Sequence, residues 1–459
     1  MDWQGKKVTI IGMARSGLAA AKVLHGLGAT VTIADNKPAD QLGEALKQVS
    51  DLTLAVVTGG YPPVARQYTD LVVTSPGVPL TILPLRQALE EGIPVWSELE
   101  LAYLLARGPV VAITGTNGKT TTTALVGQMF KDAGRPVVVG GNIGVPLVLE
   151  AQRAGKGDVL VAEVSSFQLE CTHQFRPRVA VILNITPDHL DRHGSMEEYK
   201  KAKAKIFRQQ TGEDFTVLNY DDHEVRQLAE ETPGRVIFFS RRHMLEEGVC
   251  LIGGEVTVRL GGKQVAVARP TDLLIRGSHN LENTLAAVAA GWVMHLPADA
   301  MAYTLRTFPG VAHRMELVRQ MGGVRYINDS KGTNPDASIK ALEAYDEPLI
   351  LIAGGRNKGS DFSPFARAIK ERVKELVLVG EAAPDIRAAV EAVGYNHIHQ
   401  AATFPEAVYT AAGLAVPGDI VLLSPACASW DMFNNYEERG DTFRQLVSSL
   451  EPAPGSESS

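Results

Sequence analysis

Cysteine is nearly missing from this chain: three in 459 residues. Cys171, Cys250 and Cys427 are widely spaced and form no CxxC pair, which excludes a disulfide framework and a structural zinc site and suits a reducing cytosol. An excess of positive charge is missing too. Lys and Arg number 45 against 52 Asp and Glu, a net charge of -7, so there is no general footprint for nucleic acid and an anionic ligand has to be held by local chemistry. No apolar run is long enough to span a bilayer. The longest weakly polar stretch, Leu285 to Leu296, is interrupted by His295 and stopped by Pro297; it reads as a buried helix, and no membrane partner is expected. Residues Met1 to Lys7 pass directly into the strand-like Val8 to Ile11 without the apolar core of an export signal, so a cytoplasmic location is expected.

What is present is ordinary for a folded chain. Hydrophobic residues make up 45% and charged residues 21%, which leaves little room for disorder. At roughly 150 residues per domain the length predicts about three domains and excludes a hormone, a stapled miniprotein or a simple coiled coil. The pattern agrees. Residues 1–97 alternate strand-like runs (Val8 to Ile11, Thr30 to Ala34, Leu71 to Thr74) with a helical Leu18 to Leu27, as a parallel sheet with helices on its faces requires. Residues 98–310 hold short runs apolar on both faces, Val110 to Ile113, Val159 to Ala162 and Val179 to Leu183, the signature of buried parallel strands. Gly-Gly pairs at 253–254 and 261–262 predict β-hairpins between Val249 and Val267. Residues 311–450 repeat the α/β pattern with Leu349 to Ala353, Leu376 to Val379 and Ile420 to Leu423. The Pro-, Ser- and Gly-rich tail 451–459 is expected to be disordered. The expected fold class is therefore α/β, three domains each built on a mainly parallel sheet: a Rossmann-like first, a P-loop second and a Rossmann-like third.

The strongest chemical signal is TGTNGKTT, Thr114 to Thr121. A buried strand enters it and a helix leaves it, so backbone N–H groups and the helix N-terminus converge on an anion, with Lys119 adding charge and Thr120 a hydroxyl for a cation. It departs from GxxxxGK[ST] in that Ile113 stands where the first glycine belongs. Gly12-Met13-Ala14-Arg15-Ser16-Gly17 follows the first strand and Asp35 ends the second, the Rossmann placement of a ribose-binding acid. Ala14 replaces the glycine that admits a pyrophosphate, so a nicotinamide site is not expected; another nucleotide, or a plain turn with Asp35 capping a helix, fits the residues. Glu163 ends the strand Val159 to Ala162 and fits either a cation site with Thr120 or a cap on the next helix.

His189 and His193 stand four apart in Asn184 to His193, but Leu190 occupies the place of the glutamate in HExxH, which leaves a zinc protease unsupported. His189 suits a metal ligand or an acid/base group, and His193 a surface position. The four lysines of Tyr199 to Phe207 read by spacing as a solvated helical face. Two cationic, Gly-rich loops, Asn328 to Asp336 and Gly354 to Gly359, suggest anion binding in the third domain. Cys427 has no firm general base nearby and reads as buried packing.

In order along the chain, TGTNGKTT, GNIGVP (Gly141 to Pro146), EVSSFQLE, NITPDHLDRH, YKKAKAKIF, GSHNLENTLAA, HRME, NDSKGTNPDAS, GGRNKGSDF and SPACASWDMFNNYEERG resemble the motifs of the Mur ligase family over nearly the whole length. Sibling ligases carry a His or Tyr in a D-x-A-H-type motif where this chain has Asn328-Asp329-Ser330-Lys331, which favours the D-glutamate-adding branch. The resemblance implies an ATP-dependent, amide-bond-forming ligase of peptidoglycan assembly, acting through an acyl phosphate on UDP-N-acetylmuramoyl-L-alanine and D-glutamate, with Mg²⁺, two ions expected. Carried over by motif, Lys119, His189 and Lys203 are catalytic. Gly115, Thr116, Asn117, Gly118, Thr120, Thr121, Asn280, Asn283, Arg314, Asp329 and Lys331 bind ATP. Ser16, Asp35, Asn36, Lys37, Ser75, Asn142, Ser165 and Gln168 face the UDP-substrate, and Thr333, Lys358, Ser429 and Tyr436 hold D-glutamate. Thr120 and Glu163 serve one Mg²⁺, and His189 with a carbamylated Lys203 the other. A monomer is expected. Three rivals share parts of this pattern: a folylpolyglutamate synthase-like ligase lacks the domain of Gly12 to Asp35, a nicotinamide oxidoreductase leaves Lys119 without a role, and a P-loop switch needs no amino acid.

Overall fold

A computed structural model describes residues 2–275 and 277–451; the expected disordered tail, Glu451 apart, lies outside them. The described residues build three sheets, each with its helices. The first contains β1 (Lys7–Ile11), β2 (Thr30–Asp35), β3 (Ala55–Thr58), β4 (Leu71–Thr74) and β5 (Val95–Ser97) in the order β3-β2-β1-β4-β5, parallel throughout. The second contains β6 (Val110–Thr114), β7 (Val137–Gly141), β8 (Val159–Glu163), β9 (Val179–Ile182), β10 (Phe215–Asn219), β11 (Arg235–Ser240), β12 (Gly248–Ile252), β13 (Glu255–Leu260) and β14 (Lys263–Ala268), in the order β14-β13-β12-β11-β10-β9-β6-β8-β7. Its last two pairings, β12 with β13 and β13 with β14, are the antiparallel hairpins expected from the Gly-Gly turns. The third contains β15 (Glu316–Met321), β16 (Val324–Asn328), β17 (Leu349–Gly354), β18 (Val373–Val379), β19 (Ile398–Gln400) and β20 (Ile420–Leu423) in the order β15-β16-β20-β17-β18-β19, parallel except for the β15–β16 hairpin.

By contacts the chain forms two compact units. The first comprises 1–185, 195–270 and 284–305, so it holds both the first and the second sheets. One hydrophobic cluster spans both, in which Ile10, Ile33, Leu18 and Leu24 from the first sheet and its helix Arg15–Gly26 join Leu101, Val110, Leu147 and Leu160 from the second, while the other face of the first sheet packs a cluster of its own around Ile11, Val72 and Leu85. Each fully buried Leu, Ile or Val is worth about 1.5–3 kcal/mol, so the shared cluster holds these two sheets as one body. The second unit comprises the described residues of 186–194, 271–283 and 306–451. Its sheet carries separate apolar clusters on its two faces, one built on Leu349, Leu351 and Leu376 and the other on Ile350, Ile352 and Val377.

Several local expectations change. The buried helix runs Ser278–Val293 and not to Leu296, because His295 takes a left-handed conformation (φ 60°) that ends it. Asp35 caps no helix: its carboxylate accepts the N–H groups of Met13 (2.8 Å) and Lys37 (3.0 Å) and so pins the first loop. Ser165, not Glu163, caps the helix Ser166–Glu170, in a capping box with Gln168. Gly17 is required by packing, since a Cβ there would stand 1.9 Å from the Gly12 carbonyl oxygen. Among the described residues no helix is long and apolar enough to cross a membrane.

Glu98, in the first turn of the helix Glu98–Leu105, is 1% exposed and accepts the Val148 N–H at 2.6 Å. Burial pushes its carboxyl up to about 7, against the lowering pull of that N–H. A folded-state value above the unfolded one means that the folded state binds the extra proton, so stability falls as pH rises from about 4.5 through 7. Glu98→Gln keeps the acceptor and removes the titration. In urea unfolding the variant and the wild type should be nearly equal at pH 5, and the variant more stable by about 2–3 kcal/mol at pH 8; equal gaps at the two pH values would contradict this.

Candidate functional site

In the first unit the fully buried strand β6 delivers the loop Gly115 to Gly118 to the N-terminus of the helix Lys119–Asp132. Gly118 sits at φ 85°, the left-handed region that a side chain resists, and there it caps this helix. The loop is stitched to the end of the neighbouring strand β9. Thr116 N–H donates to Asn184 O (2.9 Å), Asn117 N–H donates to Asn184 Oδ1 (2.8 Å), and Asn184 Nδ2 donates to Asn117 O (3.1 Å). Lys119 Nζ donates to Gly115 O (2.9 Å) and Thr116 O (2.8 Å). The carbonyl dipoles of the loop are thereby tied to donors of the chain, while the N–H groups of the helix's first turn have no intrahelical acceptor, the arrangement that binds anions.

Thr120 Oγ1 donates to Glu163 Oε2 at 2.7 Å, and Asn142 Nδ2 donates to Glu163 Oε1 at 2.8 Å. Glu163 is 1% exposed at the end of β8, beside β6 in the sheet. Hydroxyl and carboxylate oxygens this close suit a hard dication. Among the described residues no group of three or more His, Cys, Asp and Glu stands together as a metal site.

Lys203 departs from the solvated face that its spacing suggests. It is 1% exposed, its Nζ donates to Gly115 O at 2.9 Å, and the ammonium lies 4.5 Å from the centre of the Tyr199 ring. Lys201 does remain exposed, and Lys200 pairs with Glu224. Two lysine ammonium groups, of Lys119 and Lys203, thus share one carbonyl oxygen.

The first sheet places Ser75 against the Gly12 carbonyl, to which its Oγ donates at 3.1 Å. Ser16 is half-buried, and Asn36 and Lys37 are exposed beyond β2. Ser165 and Gln168 are brought together as partners in the capping box.

In the second unit Asp188 is the organising residue. It accepts from Lys358 Nζ (3.2 Å) and Asn334 Nδ2 (3.2 Å), and His189 Nε2 lies 3.6 Å from it. His189 itself is left-handed (φ 55°) and begins a short helix. Asp329 is fully buried; burial pushes its carboxyl up, opposed by Arg314, whose Nη1 stands at 3.4 Å, and by Ser424 Oγ, which donates at 2.8 Å. Lys331 Nζ donates to Tyr436 OH at 3.1 Å and lies 4.9 Å from the centre of that ring. Asn283 Nδ2 donates to Asn280 Oδ1 at 3.2 Å in the first turns of the helix Ser278–Val293. Ser429 is buried and Thr333 half-buried on two loops of the third sheet. Lys203 and His189 belong to different units. Cys427 is packed away, with burial raising its thiol to about 12.

Sequence reasoning did not single out Asn184, Asp188 or Tyr199 as site residues. All three lie inside the motifs of their neighbours, where polar density is the available signal.

Residues 6–97 match the Mur ligase MurD-like N-terminal domain, 113–291 the Mur ligase middle domain, and 313–427 the Mur ligase glutamate ligase domain. The chain belongs to the Mur ligase family. Among curated relatives, the UDP-N-acetylmuramoylalanine--D-glutamate ligase of Pelotomaculum thermopropionicum is 56% identical over 98% of this chain and 99% of its own, and that of Alkaliphilus oremlandii is 46% identical over 98% and 100%. Among solved structures, the UDP-N-acetylmuramate-alanine ligase MurC of Thermotoga maritima aligns with TM-score 0.61 at 20% identity, covering 96% of this chain and 99% of that one. The MurF ligase of the same organism, in complex with ADP, aligns with TM-score 0.59 at 18% identity over 92% and 96%. At these identities the two structures speak for the fold alone.

Lys119→Ala removes the cation that the cradle's helix presents. ATP-driven turnover should fall by about 10²-fold or more, as for other donors aimed at transition-state charge, with the urea midpoint nearly unchanged. Near-normal turnover would mean that the loop does not hold the phosphates.

Proposed function

We propose that the chain is an ATP-dependent ligase that joins D-glutamate to UDP-N-acetylmuramoyl-L-alanine in peptidoglycan precursor assembly. The observation that carries this reading is the 56% identity, over 98% of the chain, with a ligase named for that reaction. In the proposal residues 1–97 take the UDP-substrate through Ser16, Asp35, Asn36, Lys37 and Ser75, with Asn142, Ser165 and Gln168 along the substrate's path. Residues 98–310 take ATP, and 311–450 the amino acid through Thr333, Lys358, Ser429 and Tyr436. The setting is the cytoplasm, a reading that three buried cysteines outside any disulfide suit, and the enzyme acts as a monomer.

A carboxylate oxygen of the substrate's L-alanine attacks the γ-phosphorus of ATP, the bond to the β,γ-bridging oxygen breaks, and ADP leaves. The D-glutamate amine then attacks the carbonyl carbon of the acyl phosphate and gives up a proton; the tetrahedral intermediate collapses, expels inorganic phosphate and leaves the amide. An anion must approach a polyanion in the first step, so charge neutralisation comes before any base. Lys119 and the first-turn N–H groups of its helix supply it to the phosphates, with Asn280, Asn283, Arg314, Asp329 and Lys331 as further nucleotide contacts. Thr120 and Glu163 are the oxygen donors that fit Mg²⁺, which neutralises phosphate charge when bound. For D-glutamate, Lys358 is held by Asp188, so its ammonium is oriented before the amino acid arrives.

The proposal assigns a second dication to His189 and Lys203, the latter as a carbamate. Two ammonium groups drawn to the Gly115 carbonyl repel one another, which favours loss of a proton from one of them to solvent; the neutral Lys203 amine adds to the carbon of CO₂, its nitrogen gives up a second proton to solvent, and the product is an anionic carbamate, an oxygen ligand.

Phosphate release should require ATP, UDP-N-acetylmuramoyl-L-alanine and D-glutamate together in a screen against D- and L-amino acids. Release with ATP alone would favour a switch over a ligase. Lys203→Ala should be nearly inactive and partly restored by acetate, whereas Lys203→Arg should not be. Wild-type protein in ¹³C-bicarbonate should show a carbamate carbon resonance that Lys203→Ala lacks, and wild-type activity in Lys203→Ala would remove the assignment.

A further inference from the structure

The longest charged side chain sealed inside the second unit is that of Arg439, in the helix Tyr436–Ser449, with 1% exposure. Among the described residues no carboxylate lies within ion-pair distance of it, and burial lowers its guanidinium to about 10. Its partners are neutral and come from two loops. Nε donates to Ser330 Oγ (2.9 Å) and Nη2 to Ser330 O (2.8 Å), while Nη1 and Nη2 both donate to Cys427 O (3.2 Å each). Ser330 Oγ in turn donates to Tyr436 O at 2.8 Å.

The two loops leave the carboxyl ends of neighbouring parallel strands, β16 and β20, where Asn328 stands in register with Leu423. A third loop, after β17, is locked to the second by paired Arg356 and Ala428 backbone hydrogen bonds of 2.8 and 3.0 Å. Its Gly355 lies so near that a Cβ there would stand 3.2 Å from Nη1. These loops carry Thr333, Ser429 and Lys358, and Tyr436 begins the helix of Arg439 itself. A methionine or leucine would fill the space at less desolvation cost. What only a guanidinium supplies is a planar fork that fixes carbonyls of separate loops at a set distance.

We infer that Arg439 is the positioning residue of the D-glutamate subsite, spacing the three loops whose side chains hold the two carboxylates. This rests on the ligase reading above. The nucleotide side keeps anchors of its own, because Asp329 is held by Ser424 and Arg314.

The test is steady-state phosphate release with each substrate varied in turn, for the wild type, Arg439→Lys and Ser330→Ala. Arg439→Lys keeps the charge and loses the fork. It should raise the KM for D-glutamate about tenfold or more while the KM values for ATP and the UDP-substrate stay within about twofold. Ser330→Ala removes the Nε acceptor together with the donor to Tyr436 O, keeps the Ser330 carbonyl that Nη2 reaches, and should move the same constant in the same direction by less; it decides the matter alone if Arg439→Lys does not fold. A lowered unfolding midpoint with all three KM values unchanged would reduce Arg439 to a structural role and overturn the inference. A wild type indifferent to D-glutamate would instead overturn the ligase reading on which it rests.

Discussion

The bond set of Asn184 is the constraint on which the rest of the central site depends. A loop that is to hold phosphate has to turn its N–H groups outward, and its carbonyl oxygens must then find donors behind it. Asn184 takes the N–H groups of Thr116 and Asn117 and returns its amide to the Asn117 oxygen, while Lys119 and Lys203 take the oxygen of Gly115. The shape of the cradle is thus decided before any nucleotide is present. Because Asn184 follows β9 and the loop follows β6, the stitch also depends on the pairing of these strands, in which Thr114 is in register with Ile182.

The same geometry recurs in the third sheet. Parallel strands end together, so the loops after β16, β20 and β17 open on one edge, where open α/β sheets place ligands. There the stitching is done by charge. Asp329 and Arg439 are both sealed from solvent, and each is satisfied by hydroxyl, backbone or guanidinium groups of adjacent loops. A buried charge is costly unless every partner is in place, so these loops have few alternative arrangements.

Legibility in the sequence followed burial. Strands apolar on both faces, such as β4, β6 and β20, read almost to the residue. Four-residue β3 is partly exposed, three-residue β5 follows a proline, and β7 ends in Gly140-Gly141; none has a periodicity long enough to register. The cradle was legible because strand, glycines, lysine and helix are contiguous. Lys203 was not separable from Lys200, Lys201 and Lys205 by spacing, since burial is a property of the packed chain: Lys203 is turned inward toward Gly115 and Lys201 outward. Arg439 escaped notice for a similar reason. In Tyr436 to Gly440 it stands beside two glutamates and reads as one charge of a solvated helix.

Glu98 and Lys203 show how a single packing decision reaches the chemistry. Glu98 is sealed where the cores of the first two sheets merge, and its carboxylate reaches the helix Leu147–Arg153, which follows the loop of Asn142. Asn142 holds Glu163, and Glu163 holds Thr120 at the head of the cradle's helix. From the other side Lys203 fixes Gly115 at the start of the same loop. The cradle is therefore gripped at both ends by polar groups that the shared apolar core has already ordered. Loosening that core would misplace the hydroxyl of Thr120 before it unfolded the sheet, because polar contacts lose alignment over shifts that apolar packing tolerates.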